Sequence, residues 1–393
     1  MYISALSISG YRSLKDVEIK GMLPICIFHG LNNSGKSNIL SAIETVFRRK
    51  LVVEETTTAD VTTHKREGSF WQGRITDFAH NFYLNGRDAI TFSVSVTFSD
   101  AELTPMRGVL EELHSSLVHA GHNVALTLDG RIVYVDDKSA DMILDKAVFN
   151  KKHVVFEMDK DGKKSFFPGL KKLNTDKKLS YFEELMNLLA DSFKVLPSDR
   201  YLTTEKIVGA ERSPLPTSKT FKRWMFNLSL SKSDYKIYEE IRDMFAKDPF
   251  CIGEVSFSQD GEEIDIMVKD AAVRLPIGRL GSGYQQMLYI IANLVLNKGK
   301  MLGIEELEIN LSPTAQKMVF EKLKRHIYGE SDLVKQVIIT SHSDYFQGRQ
   351  DVRCYGVEHN GQHTTVGKWT EGRGRQFFKL FGKKAPTRSE STR

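Results

Sequence analysis

The opening residues, MYISALSISGYRSLKD, alternate apolar and polar positions, the period-two pattern of a strand with one covered face. The stretch PICIFHG (24–30) is instead a continuous apolar run, which suits a strand buried on both faces. After a glycine-rich loop, Ile39, Leu40, Ile43, Val46 and Phe47 recur at helical spacing. The pattern predicts strand, glycine loop and helix within the first 50 residues. Residues 51–70 are polar and Thr-rich and read as a loop, whereas AITFSVSVTF (89–98) alternates as a strand. The stretch 102–120 reads as a helix. Two β-rich runs, NVALTLDGRIVYVDD (123–137) and HVVFEMDKDGKKSFF (153–167), each contain Asp-Gly and predict hairpins.

Further along, SYFEELMNLLADSF (180–193) is an amphipathic helix and residues 224–248 carry a helical pattern. GEVSFSQDGEEIDIMVKD (253–270) reads as another hairpin, and GYQQMLYIIANLVLNKG (283–299) as a strongly apolar helix. KMLGIEELEI (300–309) and VKQVIITSHS (334–343) are short buried-strand runs that end in polar groups. The expected division is an N-terminal lobe with the glycine loop and β-hairpins at 1–202 and a helical insertion at 203–252. A C-terminal lobe at 253–370 and a basic tail at 371–393 complete it. The class is α/β, with a mixed central sheet and a β-rich lobe.

Composition changes this picture little. The 393 residues are 41% hydrophobic and 27% charged, an ordinary globular balance. No apolar run of about 18 residues is present, so no membrane partner is expected. Cys26, Cys251 and Cys354 lie far apart with no CxxC pair, which points to a reducing, cytoplasmic setting. The net charge of +5 equals that of residues 371–393 alone, so the body is neutral. Bulk charge therefore gives no argument for nucleic-acid binding, which stays open only through local patches.

The chemistry begins with Gly30-Leu31-Asn32-Asn33-Ser34-Gly35-Lys36-Ser37-Asn38, which contains G-x-x-x-x-G-K-[ST] between a strand and a helix. Such a loop aims successive N–H groups at phosphate oxygens, and the helix N-terminus adds its positive end. Lys36 would reach the β- and γ-phosphates of ATP, and the Ser37 hydroxyl would ligate Mg²⁺. Glu305 and Glu306 follow an apolar run, where one acid could hold the metal and the next polarise the attacking water. His342, at the end of another apolar run, could sense the γ-phosphate. Gly281-Ser282-Gly283 opens an apolar helix and is either a second anion site or a flexible N-cap with Ser282 as the capping side chain. One chain does not need two phosphate cradles for one nucleotide; two chains head to tail could exchange them.

The order of these four stretches resembles the ABC-type ATPase heads of the RecF, SMC and OLD group. LSISGYRSLKDVEI is similar to the strand pair that opens those heads, LGSGYQQ to their signature, IEELEINLSP to their Walker B and D-loop segment, and SHS to their switch histidine. LPSDRYL (196–202) resembles a segment found between their lobes. The resemblance implies Lys36 and Ser37 as phosphate and Mg²⁺ ligands, Glu305 as the Walker B acid, Glu306 as base and His342 as switch. Gly281 to Gly283 become the signature that meets ATP across a homodimer. Glu305, Leu307 and Ser312 stand where Asp, Pro and His are usual, which implies slow hydrolysis. Gln72 is a weak candidate for the Q-loop glutamine. The 203–252 segment is short for coiled-coil arms, and about fifty residues follow SHS, few for a TOPRIM domain. The chain thus resembles a stand-alone OLD-like ATPase, like the ATPase components of the PARIS, Septu and retron anti-phage systems. That implies a sensor or scaffold with a separately encoded TOPRIM or HNH effector. The alternatives are a RecF-like DNA-repair ATPase and a module that holds ATP without useful turnover.

Overall fold

The computed structural model describes residues 1–53, 65–67, 70–82, 89–113, 117, 123–200, 202, 205–206, 217–247, 251–261, 263–270, 273–329, 334–346 and 352–369. The tail at 371–393, most of the Thr-rich loop and part of the 203–252 segment lie outside these residues.

Strand β1 (Tyr2–Tyr11) turns back into β2 (Leu14–Lys20), and β3 (Ile25–His29) leads through the glycine loop into α1 (Lys36–Phe47). Short strands β4 (Leu51–Val53), β5 (Lys65–Glu67) and β6 (Gln72–Thr76) precede the longer β7 (Ile90–Phe98). A 3₁₀ segment, Asp100–Met106, runs into α2 (Arg107–Leu113). Then come β8 (Val124–Tyr134), β9 (Ser139–Phe149), β10 (His153–Met158), β11 (Lys164–Phe166), α3 (Thr175–Leu189), β12 (Phe193–Leu196) and β13 (Glu205–Lys206). Helices α4 (Phe221–Leu230) and α5 (Tyr235–Ala246) are followed by β14 (Glu254–Asp260), β15 (Glu263–Asp270), β16 (Val273–Pro276) and α6 (Ser282–Leu296). The last elements are β17 (Met301–Ile304), α7 (Pro313–Tyr328), β18 (Gln336–Ser341), β19 (Arg353–His359) and β20 (Thr364–Lys368).

The central sheet has the order β12-β17-β18-β3-β19-β20, parallel except for the last pair. The continuous apolar runs explain it, because a parallel strand covered on both faces needs no polar side. Alternate residues then divide between two cores. Cys26, Phe28, Met301 and Ile338 face one cluster with α1 and the antiparallel sheet. Ile25, Ile27, Leu302, Ile304, Val337 and Ile339 face the other, with α4, α5, α6 and α7. Gly303 lets α1 approach closely, since a Cβ there would stand 3.1 Å from Leu40 Cδ2 and 3.0 Å from Phe193 Cζ.

The second sheet is antiparallel, in the order β2-β1-β7-β8-β9-β6-β4-β5, with β10 and β11 extending from β9. Gln336 joins the two sheets: its Oε1 accepts from Ile3 N at 2.9 Å, and its Nε2 donates to Ile3 O and Leu23 O. A third sheet, β13-β15-β14 with β16 beside β15, carries the hairpin expected at Asp260-Gly261.

Four local expectations need correction, the first being the loop read over 51–70, which holds the short strands β4 and β5. Asp129-Gly130 is no turn: β8 runs straight through it, with a register irregularity against β9. Glycine is needed there for close approach, because a Cβ would stand 2.5 Å from Phe92 Cζ and 2.6 Å from Ile143 O. The helical run at 224–248 is two helices, broken where Ser231 Oγ donates to Asp234 Oδ2 at 2.8 Å. Such side chains compete with helical hydrogen bonding. The helix expected at 102–120 is described only as the 3₁₀ segment and α2, and its last residues fall largely outside the described set.

Candidate nucleotide site

The parallel register brings three strand ends to one edge. Ile304 pairs with Ile339, and Ser341 pairs with His29, so Glu305, His342 and Gly30 each follow their strand on the same side. The glycine loop is joined to the histidine strand directly, since Gly30 N donates to Ser341 O at 3.2 Å. Both loop glycines are needed. Gly35 has φ +99, in the left-handed region, and a Cβ on Gly30 would meet Val357 O at 2.2 Å. Lys36 is buried and folds back over the loop, donating to Gly30 O at 2.9 Å and Leu31 O at 2.7 Å. Burial pushes its pKa down, while Glu306 and Glu308 pull it up, so these two acids share its electrostatic surroundings. Ser37, Asn32 and Asn33 are exposed, and Ser34 is buried with no partner for its hydroxyl among the described residues.

Asn38 is turned elsewhere. Its Nδ2 donates to Ser13 Oγ at 2.7 Å and its Oδ1 accepts from Arg12 Nη1 at 3.3 Å, so it fastens the β1–β2 turn to α1. Thr364 on β20 shares this joint. Its hydroxyl lies 2.7 Å from Ser13 Oγ and donates to Ser34 O at 2.9 Å, in the space a Cβ on Gly35 would fill. Thr364→Val keeps the shape and removes the hydroxyl, leaving a loop carbonyl under-satisfied at about 1–3 kcal/mol. The expected outcome is several-fold weaker nucleotide binding, read by titration of a fluorescent ATP analogue.

The acids divide by direction. Glu305 N donates to Leu196 O at 3.0 Å, and its Oε2 accepts from Ser198 N at 3.4 Å, on the β12 side. Glu306 has φ 45, a left-handed backbone that costs a non-glycine residue about 1–3 kcal/mol. Its N–H donates to Thr340 Oγ1 at 3.0 Å. Glu308, which no motif marks, is buried and holds the histidine. Its Oε1 accepts from His342 N at 2.6 Å and lies 3.0 Å from His342 Nδ1, while the His342 side chain remains 47% exposed. A buried acid in LEINL is the signal that was available. A small donor set of one serine hydroxyl and one carboxylate, as Ser37 and Glu305 would supply, is what Mg²⁺ takes alongside phosphate oxygens and water.

The glycine–serine stretch is placed against the acid segment. The N-cap of α6 is Gly281, so Ser282 is the first helical residue and not the capping one. A Cβ on Gly283 would stand 2.8 Å from Asn310 O, whereas one on Gly281 would meet nothing within 4 Å. Arg200, in LPSDRYL, also reaches this region: it is fully buried and donates to Glu305 O, Glu306 O, Pro197 O and Gln286 Oε1. Gln72 stands apart on β6, where its Oε1 accepts from Lys164 Nζ beside Trp71.

Residues 1–346 match the model of the family described as AAA ATPase domain. A search of curated proteins found no match. Among solved structures, the SmcHead bound to the C-winged helix domain of ScpA is similar at 14% identity and TM-score 0.51, covering 95% of this chain and 100% of that one. The SMC head domain from Thermotoga maritima has 12% identity and TM-score 0.43, covering 94% and 100%. The Smc head with an extended coiled coil bound to the C-terminal domain of ScpA derived from Pyrococcus furiosus has 13% identity and TM-score 0.48, covering 97% and 100%. The first of these shares the mixed α/β fold of an ABC-type P-loop ATPase head. The family model spans most of the sequence, and the chain accordingly belongs to the AAA ATPase domain family and is an ATPase.

Proposed function

We propose that this chain is an ATP-gated head that closes on a second copy of itself, and that the closed state controls a separately encoded effector in anti-phage defence. The observation that supports it most is the placement of Gly281–Gly283. They open α6, with Gly283 against Asn310 O and open space at Gly281, and among the described residues no hydrogen bond joins them to their own glycine loop. A second chain arranged head to tail would bring this stretch over the ATP held by Lys36 and Ser37. A two-fold arrangement makes two such composite sites at once.

In that arrangement Glu306 accepts a proton from the attacking water, His342 lies beside the γ-phosphate, and Lys36 leaves its own loop carbonyls for phosphate oxygens. Mg²⁺, held by Ser37 and Glu305, would neutralise phosphate charge. Leu307, fully buried where proline is usual, and Glu305 in place of Asp support slow turnover, which suits a switch better than a motor. The defence role and a TOPRIM or HNH effector rest on the resemblance to stand-alone OLD-like ATPases. No helix of the described residues is long and apolar enough to cross a membrane.

Sedimentation velocity of the purified chain tests the gate. With ATP and Mg²⁺ present, the chain is expected to sediment as a dimer, and Ser282→Arg is expected to keep it monomeric. An unchanged sedimentation coefficient with and without ATP would sink the reading. Tight, salt-sensitive DNA binding by the same sample would instead favour a RecF-like role.

A further inference from the structure

Arg200 is a fully buried cation with no carboxylate directly bonded to it among the described residues, an arrangement that needs a reason. Its acceptors are three backbone carbonyls and one side-chain amide. Nη1 donates to Pro197 O at 2.8 Å and to Glu305 O at 2.7 Å, Nη2 donates to Glu306 O at 3.0 Å, and Nε donates to Gln286 Oε1. The guanidinium fork therefore spans β12, the acid pair after β17, and the first turns of α6.

Two further observations give this clamp a direction. First, Glu306 holds a left-handed backbone at φ 45, and strained non-glycine residues persist only where their surroundings over-determine them. Both polar groups of its backbone are taken: the N–H donates to Thr340 Oγ1, and the carbonyl accepts from Arg200 Nη2 and, within its own turn, from Ile309 N at 3.0 Å. Second, α6 grips the Arg200 segment at adjacent residues. Gln286 accepts from Arg200, and Gln285 Oε1 accepts from Leu202 N at 3.1 Å. The Gln286 Nε2 atom is buried with no partner among the described residues, so the bond to Arg200 is what holds that amide.

We propose that Arg200 is the positioning residue that fixes the strained turn at Glu306 and ties it, through Gln286, to the helix that begins with Gly281–Gly283. A shift of α6 reaches the Glu306 carboxylate through one side chain. Lysine cannot replace it, because a single ammonium lacks the planar fork that meets four acceptors. Burial lowers the Arg200 pKa to about 10, and Glu305, Glu308 and Glu306 oppose that fall, so the clamp stays charged at neutral pH.

The proposal rests on Glu306 being the base, and the test separates the two. Turnover, labelled-ATP affinity and thermal midpoint are measured for Arg200→Lys, Gln286→Leu, Gln286→Glu and Glu306→Gln. The first two are expected to lose about 10–10²-fold in kcat, the scale of small misplacements at a reacting centre. Their ATP affinity should stay within about twofold, the sign that ground-state binding is intact. Gln286→Glu keeps an acceptor for Arg200 and is expected to turn over near the wild-type rate. Wild-type kcat in Gln286→Leu and Arg200→Lys, with Glu306→Gln inactive, overturns the clamp alone. Loss of ATP binding in step with turnover overturns it in favour of a merely structural arginine. Wild-type turnover in Glu306→Gln overturns both base and clamp.

Discussion

Glu306→Gln is expected to lower kcat by about 10²–10⁴-fold, the range for loss of a general base, without loosening ATP. Glutamine has the shape of glutamate, so the left-handed backbone and its bonds to Thr340 and Arg200 persist. What disappears is the proposed proton acceptor and one negative charge near Lys36. Removing that charge lessens repulsion toward a triphosphate, so ATP affinity should hold or rise, and the ATP-bound species should accumulate. Phosphate release and labelled-ATP titration read the two effects separately. Equal rates for both proteins would show that Glu306 is not the base.

Lys36→Met is expected to remove nucleotide binding itself. Methionine fills most of the buried channel that the lysine stem occupies, so packing losses stay small. The ammonium now bonded to Gly30 O and Leu31 O is lost. Charge-assisted bonds contribute about 1.5–3 kcal/mol each, so two to phosphate oxygens correspond to a loss of about 10²-fold or more in affinity. Burial disfavours the charged lysine, but Glu306 and Glu308 favour it, and a bound triphosphate adds negative charge that keeps it protonated. Equilibrium titration measures the loss, and an affinity close to that of the unaltered chain would deny Lys36 a phosphate contact.

The strand, glycine loop and helix are legible because their signal is local. A continuous apolar strand, glycines, Lys-Ser and a helix with period-3.6 apolar positions all fall within Ile25–Phe47. The two later strand ends were legible for the same reason, as apolar runs that stop at polar residues. Their adjacency was not, because pairing of Ile304 with Ile339 and Ser341 with His29 depends on strand order across the whole sheet. Asp129-Gly130 misled because its glycine answers Phe92 and Ile143 O, partners distant in sequence, rather than a turn. Arg200 and Glu308 are not legible as buried positions because charge normally means surface. Distant acceptors, the carbonyls of Glu305 and Glu306 about a hundred residues on and the Gln286 amide, make a buried arginine tenable, and His342 gives buried Glu308 its partner. Asn38 follows Ser37 in sequence, and its side chain serves the joint with Ser13 and Arg12.

The central claim is that ATP is enclosed by two chains, Lys36 from one and Gly281–Gly283 from the other. Mixing two inactive variants tests it most directly. Lys36→Met lacks the cradle, and Ser282→Arg blocks the covering stretch. A mixed head-to-tail dimer contains one fully intact composite site of two, and neither variant closes on itself, so equal amounts are expected to regain up to about half of the wild-type ATPase rate. A mixture that stays as inactive as its components, although mixed dimers form, would contradict the account.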